Sequence, residues 1–115
     1  MELKNFIPDQ QAVPAPEVLP VEFAKRLDQH KEICDYLHDL YYRKNRDYGS
    51  SVTDTFNKYG LVSFLVRLED KLNRARTLNE KGSAKVTDEK LEDTLMDLAN
   101  YAMLAVIELR MQNKG

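Results

Sequence analysis

Acidic and amide side chains follow one stripe of a helical segment near the C-terminus. The stripe consists of Glu89, Asp93, Asp97 and Asn100, which follow one another at steps of four, four and three residues. These steps place all four side chains on one helix face, where carboxylates repel one another and burial adds a desolvation cost. Mg²⁺ removes that cost, because it prefers carboxylate oxygens and commonly bridges to substrate phosphates. The stripe therefore predicts half of a Mg²⁺ site at the three acids, with Asn100 contacting a ligand one turn further along.

The alternative interpretation of this stripe is a solvated acidic face. Acidic residues are favoured near a helix N-terminus, where the helix dipole is positive. This alternative explains Glu89 as well as a metal site does. It explains Asp97 and Asn100 less well, since both lie deeper in the helix among apolar neighbours.

A second helical segment carries basic residues along one line. Arg67, Lys71 and Arg74 recur at steps of four and three residues. Three cations on one face suit a polyanion such as a triphosphate, although pairing with neighbouring Glu and Asp side chains is the ordinary alternative. The acidic and basic stripes together predict one set of residues for metal and another for phosphate. Lys44, which lies further upstream, is a fourth candidate phosphate ligand.

Further candidate residues lie on and after the first helical segment. Tyr48 could stack on a base, and Asp47 could accept a hydrogen bond from a ribose hydroxyl or a base edge, with Asn100 as a third base contact. The alternative for this stretch is a capping turn that ends the helix at Gly49. Glu32 and Asp35 are three residues apart, so they lie on one helix face. They are predicted to supply the other half of the Mg²⁺ site.

The elements that must position these residues are helices. Residues 1–20 contain all four prolines, which deny a helix its N–H donors, so this stretch is predicted to be an extended arm. Apolar residues at steps of three and four predict helices over about 21–46, 53–58, 61–78 and 87–111, with a loop over 79–85. The sequence thus predicts an all-α bundle of three long helices and one short helix. Residues 21–115 are predicted to form this helical domain, and the phosphate and base contacts predicted above would make it a nucleotide-binding domain.

Apolar stripes on the long helices predict the core. The residues of these stripes are Phe23, Leu27, His30, Cys34, Leu37 and Tyr41, widened by Ile33 and Leu40, on the first helix, Leu61, Phe64, Leu65, Leu68, Leu72 and Ala75 on the third, and Leu91, Leu95, Leu98, Ala102 and Leu109 on the last. Cys34 is the only cysteine and is predicted to be buried, as free cysteines often are. The C-terminal half of the last helix is apolar all round, which predicts burial in a homo-oligomer.

Size and charge exclude several classes of protein. The chain has 115 residues, enough for one domain, with a formal net charge of −2. A nucleic-acid-binding protein would show a dominant basic surface, so nucleic acid is not an expected partner. The sequence has no signal peptide and no apolar run near 20 residues, which predicts a cytoplasmic protein without a membrane partner.

Three motifs in a fixed order carry a resemblance to a known family. They are the segments Arg43–Gly49, Val66–Arg74 and Asp88–Ala102. Over about residues 40–109, their order resembles the nucleotide-modification-associated domain family 1, whose members are small helical proteins of phages and prophages. This resemblance implies nucleotide handling by the signature positions, which are Asp47, Tyr48, Gly49, Lys71, Arg74, Glu89, Asp93, Asp97, Asn100 and Tyr101.

A weaker resemblance is to the MazG-like all-α NTP pyrophosphatases and dimeric dUTPases. Those proteins are helical oligomers that hold Mg²⁺ with an E-x-x-E pair on one helix and an E-x-x-D pair on the next. E32-x-x-D35 and E89-x-x-x-D93 are similar to these pairs. The first pair here ends in Asp, and the second has a spacing of four instead of three; both spacings keep the side chains on one face.

The sequence supports three hypotheses for function. The first is Mg²⁺-dependent hydrolysis of an NTP or dNTP to a monophosphate and pyrophosphate, in the nucleotide metabolism of a bacterium or a phage-infected cell. The second is binding of a nucleotide or cyclic nucleotide without chemistry. The third is a helical oligomeric interaction protein with no small ligand. Metal dependence separates the first from the second, and nucleotide binding separates both from the third.

Overall fold

The structure is a computed structural model that describes residues 18–48, 50–81 and 84–114. These residues form α1 (Val21–Tyr48), α2 (Ser51–Tyr59), α3 (Val62–Lys81) and α4 (Ala84–Lys114), and no strand occurs among them. The predicted all-α class, with three long helices and one short helix, is confirmed. Most of the predicted arm lies outside the described residues. No helix in the described ranges is both long and apolar enough to cross a membrane.

The helices extend further than the sequence predicted. α2 begins at Ser51, α3 continues to Lys81, and α4 begins at Ala84. The loop predicted over 79–85 is therefore shorter, because Glu80 and Lys81 favour helix and α3 continues through them.

A glycine ends α2. Gly60 has φ +78°, and its N–H donates a 2.7 Å hydrogen bond to the Phe56 carbonyl. Glycine adopts this left-handed conformation without the steric cost that a Cβ brings. An added Cβ would meet no atom within 4 Å, so a substitution here would strain the backbone without causing a clash.

The chain divides into two compact units, residues 1–35 and 36–115. In the first unit, the described residues 18–35 form the first part of α1 and the short stretch before it. Phe23, Leu27 and Cys34 are exposed there. The prediction that Cys34 is buried is wrong, because the described part of this unit contains one helix and no second element to cover its apolar stripe.

In the second unit, α3 packs along α4, and α2 packs on α3. The core cluster combines Phe56 of α2, Phe64 of α3 and Ala105 of α4, and Tyr101 and Leu104 pack against it. The Phe56 and Phe64 ring centroids are 5.9 Å apart with the rings tilted by 47°. Such aromatic pairs contribute about 0.5–1.5 kcal/mol beyond the area that they bury.

Several predicted core positions are wrong by one residue or one helix face. On α4, Thr94 is 4% exposed, whereas the predicted Leu95 is 49% exposed. On α3, Phe64 and Ala75 are buried as predicted, but Leu65 and Leu72 are exposed. The structure leaves uncovered a set of α3 side chains that we call the outer α3 surface, which consists of Val62, Leu65, Val66 and Leu72.

Candidate functional site

The second unit contains a cavity of about 350 Å³, a volume typical of small-molecule sites. All four helices contribute to its wall. The lining residues are Tyr41, Lys44 and Asn45 of α1, Ser50 before α2, Ser51, Val52 and Thr53 of α2, Lys71 of α3, and Asp97, Asn100, Tyr101, Leu104 and Glu108 of α4. The α4 residues recur at steps of three and four, so they form one helix face.

An ion pair joins α3 to α4 on the wall of this cavity. Lys71 Nζ lies 3.2 Å from Asp97 Oδ2, and the two side chains are 28% and 45% exposed. A partly exposed pair of this kind is screened by solvent and contributes at most about 1 kcal/mol to stability. Because an ammonium group has three donors, Lys71 can also bond to a ligand oxygen in the cavity.

A second long-range contact positions another carboxylate. Thr53 Oγ1 donates a 2.7 Å hydrogen bond to Glu108 Oε2, and this bond is partly buried. It links the first turn of α2 to the C-terminal half of α4. One oxygen of Glu108 is therefore held by the protein, and both residues remain part of the cavity wall.

The N-terminus of α2 lies at the cavity. Its first three residues line the wall, and the Ser50 side chain makes no capping hydrogen bond. The first N–H groups of a helix have no acceptor within the helix, and the helix dipole is positive at this end. The α2 terminus therefore adds a favourable environment for an anion that Lys44 and Lys71 could bind.

The cavity brings together four predicted site residues, Lys44, Lys71, Asp97 and Asn100. Asn100 is half-buried, in keeping with its position among apolar neighbours. Asp93 lies one helical turn before Asp97, is exposed, and is not part of this lining.

The two arginines predicted on α3 lie outside this lining. Arg74 is exposed. Arg67 lies with its guanidinium carbon 5.8 Å from the centre of the Tyr101 ring. Together with Tyr101, it lines a neighbouring cavity of about 90 Å³. Tyr101 lines both cavities, and phosphate binding by either arginine stays a prediction.

The remaining predicted residues are not tested by this cavity. Asp47 and Tyr48 end α1, and Glu89 lies within α4, but their side chains are outside the described part of the structure. Glu32 and Asp35 belong to the first unit.

Within the first unit, both carboxylates have partners on their own helix. Gln29 Nε2 donates to Glu32 Oε2 at 2.8 Å. Lys31 Nζ donates to Asp35 Oδ2 at 2.8 Å, and this hydrogen bond raises the pKa of Lys31. A role for Glu32 and Asp35 in metal binding stays a prediction.

The cavity wall suits a metal ion only if ligands from outside the protein complete its coordination. In the part of the chain that the structure describes, no three His, Cys, Asp or Glu side chains cluster closely enough to hold a metal ion. The wall does present the Asp97 carboxylate and, one turn further on, the Asn100 amide, whereas Glu108 lies about 16 Å from Asp97 along α4 and is too far away to bind the same ion. Mg²⁺ is often held by one or two carboxylates together with phosphate oxygens and waters. The residues present therefore suit a Mg²⁺ ion that arrives with a phosphate chain.

Sequence reasoning missed several residues of the wall. Tyr41 was assigned to the apolar stripe of α1, although Tyr41 and Asn45 share a helix face with Tyr48, and this spacing was a usable signal. The contact between Thr53 and Glu108 spans 55 positions of the chain. No local pattern predicts this contact, but Glu108 shares a face of α4 with Asp97 and Leu104, and this spacing was a usable signal for Glu108 as well.

Comparison with family models found a match for this chain. The model described as nucleotide modification associated domain 1 matches residues 44–109, a range that begins at Lys44 and contains Lys71, Asp97 and Asn100. Comparisons with curated proteins and with solved structures found no match. Because the family model covers more than half of the sequence, the chain belongs to the nucleotide modification associated domain 1 family.

Proposed function

We propose that this domain binds an NTP or dNTP in the 350 Å³ cavity and hydrolyses its phosphate chain with Mg²⁺. The Lys71–Asp97 pair carries this proposal. A cation suited to phosphate and a carboxylate suited to Mg²⁺, from two different helices, lie 3.2 Å apart on one cavity wall. The family's association with nucleotide modification supports a nucleotide as the ligand.

Binding would use the basic part of the wall. Lys71 and Lys44 would bond to phosphate oxygens as point charges, near the positive end of α2. A phosphate oxygen that takes the Lys71 ammonium would release the Asp97 carboxylate from its ion pair. Asp97 would then be available to the Mg²⁺ that accompanies the phosphate chain.

Hydrolysis would use the acidic part of the wall. When bound, Mg²⁺ supplies a more acidic water and neutralises phosphate charge. In the reaction, a water oxygen bonds to the α-phosphorus, and the bond from that phosphorus to the oxygen bridging to the β-phosphorus breaks. A nucleoside monophosphate, pyrophosphate and a proton are the products. The proton would pass to solvent water, and Lys71 would stabilise charge on the leaving pyrophosphate. Glu108 lies too far along α4 from Asp97 to reach a water on the same Mg²⁺, and its bond with Thr53 would hold the α2 N-terminus at the cavity.

The second candidate function is nucleotide binding without hydrolysis, including binding of a cyclic nucleotide. The ion pair favours this candidate as well, because an Asp97 that stays with Lys71 in the complex is not a metal ligand. The phosphate would then bind through Lys44, the α2 N-terminus and the remaining donors of Lys71.

A thermal-shift experiment with Asp97→Asn tests the metal part of the proposal. We expect each bound nucleotide to raise the melting temperature by mass action, with a larger rise in Mg²⁺ than in EDTA. Asp97→Asn should remove the Mg²⁺-dependent part of the rise and abolish pyrophosphate release. The matched control is Asp70→Asn, which neutralises an exposed carboxylate beside Lys71 and should change neither result.

The outcomes of this experiment separate the candidates. Pyrophosphate release that depends on Mg²⁺ and on Asp97 supports the enzyme. A rise in melting temperature that is equal in Mg²⁺ and EDTA, without pyrophosphate release, supports the second candidate. No rise with any NTP or dNTP contradicts nucleotide binding altogether and leaves the interaction protein.

We also propose that the domain forms a homo-oligomer in which a second copy covers the outer α3 surface. The four apolar side chains of this surface are 41–55% exposed and recur at helical spacing. Contiguous exposed apolar patches commonly mark protein interfaces. We expect light scattering after size exclusion to give a mass above 13.4 kDa, and the double variant Leu65→Glu, Val66→Glu to lower it.

The matched control for the oligomer is Lys81→Glu, which places a negative charge at an exposed position in the last turn of the same helix, outside the outer α3 surface. It should leave the mass unchanged. A wild-type mass of 13.4 kDa at every protein concentration would contradict the homo-oligomer.

A further inference from the structure

A nucleobase needs a flat, partly apolar surface near the phosphate-binding residues. The α1 wall of the 350 Å³ cavity offers one. Tyr41 and Asn45 are four residues apart, so they lie on one helix face, and both line the cavity. Tyr41 is half-buried, and Lys44, a proposed phosphate ligand, lies on the same wall.

The same two residues also border a second cavity. A groove of about 380 Å³, which we call the α1 groove, is lined by His38, Asp39, Tyr41, Tyr42, Asn45 and Arg46. Tyr41 and Asn45 therefore border both the cavity and the α1 groove.

Two other tyrosine rings near the cavity are each in contact with an arginine guanidinium group. The Arg67 guanidinium carbon lies 5.8 Å from the centre of the Tyr101 ring, and the Arg46 guanidinium carbon lies 5.7 Å from the centre of the Tyr42 ring. Tyr42 also lines the α1 groove and is not part of the 350 Å³ lining. Among the described side chains of α1, Tyr41 is the aromatic residue that lines the 350 Å³ cavity.

We infer that Tyr41 and Asn45 form the base-binding subsite of this domain, an inference that rests on the proposed nucleotide binding. Tyr41 stacks on the nucleobase, and stacking of this kind accepts any base because every base has a π-face. The Asn45 and Asn100 amides each offer a donor and an acceptor to the base edge. Asparagine pairs well with an adjacent donor and acceptor such as those of adenine, so selectivity among bases resides in these amides.

Titration calorimetry with ATP and with inorganic triphosphate tests the subsite, because the second ligand has no base. Tyr41→Leu should weaken ATP binding about tenfold and leave triphosphate binding unchanged, in line with the loss of one stacked base. Tyr41→Phe keeps the ring and should retain ATP binding. The matched control is Tyr42→Leu, the same change at the next residue, which should alter neither ligand.

A second variant tests the subsite even if Tyr41→Leu fails to fold. Asn45 is exposed, so Asn45→Ala should fold normally, weaken ATP binding several-fold and leave triphosphate binding unchanged.

Three results would overturn the subsite. Equal weakening of ATP and triphosphate in Tyr41→Leu would show that Tyr41 only shapes the cavity. An ATP-specific loss in Tyr42→Leu would place the base in the α1 groove. Wild-type protein that binds neither ligand would overturn the proposed nucleotide binding and, with it, this inference; the first two results leave nucleotide binding intact.

Discussion

Replacing Phe64 with alanine should destabilise the second unit by about 3–5 kcal/mol, the usual cost of removing a buried phenylalanine. Phe64 is 2% exposed, and its ring packs on Phe56 in the small core cluster. Whole domains are stable by only about 5–15 kcal/mol, so this loss is a large fraction of the total. We expect thermal unfolding followed by circular dichroism to show a melting temperature lower by on the order of 15–30 °C.

The neighbouring residue provides the matched control for this prediction. Leu65 is 52% exposed on the outer α3 surface, and Leu65→Ala also truncates a large apolar side chain. At protein concentrations where the chain is monomeric, it should change stability by less than about 1 kcal/mol. Similar losses for the two variants would contradict the assignment of Phe64 to the core and Leu65 to the surface.

This contrast also shows how far the sequence predicts the fold. Apolar residues at steps of three and four predicted the four helices, because the period of an α-helix is a local property. Which part of a wide apolar stripe is buried depends on the neighbouring helix, and that is not local. Phe64 and Leu65 were both predicted as core, yet α4 covers only the first. Thr94 is buried in place of Leu95 for the same reason.

The candidate site also combines features that local sequence predicts with features that depend on helix packing. Lys71 and Asp97 were each predicted because their spacing placed them on a charged helix face, which is again local information. Their 3.2 Å approach depends on how α3 packs on α4. The polarity of Asn100 in an apolar stretch predicts a site residue, whereas the hydrogen bond between Glu108 and Thr53 depends on how α2 lies against α4.

Replacing Lys71 with methionine should weaken the binding of ATP and of inorganic triphosphate by about 10- to 100-fold. Methionine keeps an unbranched apolar side chain and removes the charge. A hydrogen bond to a charged group contributes about 1.5–3 kcal/mol, and each 1.4 kcal/mol is a factor of ten in affinity. Titration calorimetry measures both affinities directly. Lys81→Met, the same change at an exposed position in the last turn of α3, should leave both unchanged.

A double variant decides whether Lys71 serves the ligand or only its carboxylate partner. If Lys71 exists to neutralise Asp97, Lys71→Met should lower the melting temperature, and adding Asp97→Asn should restore it, with no effect on triphosphate binding in either protein. If Lys71 binds phosphate, triphosphate binding should stay weak in the double variant, because the lost ammonium is not replaced. Asp97 is 45% exposed and can be solvated when Lys71 is absent, so we expect little change in stability. The ion pair would then be the resting arrangement of two groups that separate when a phosphate chain enters the cavity.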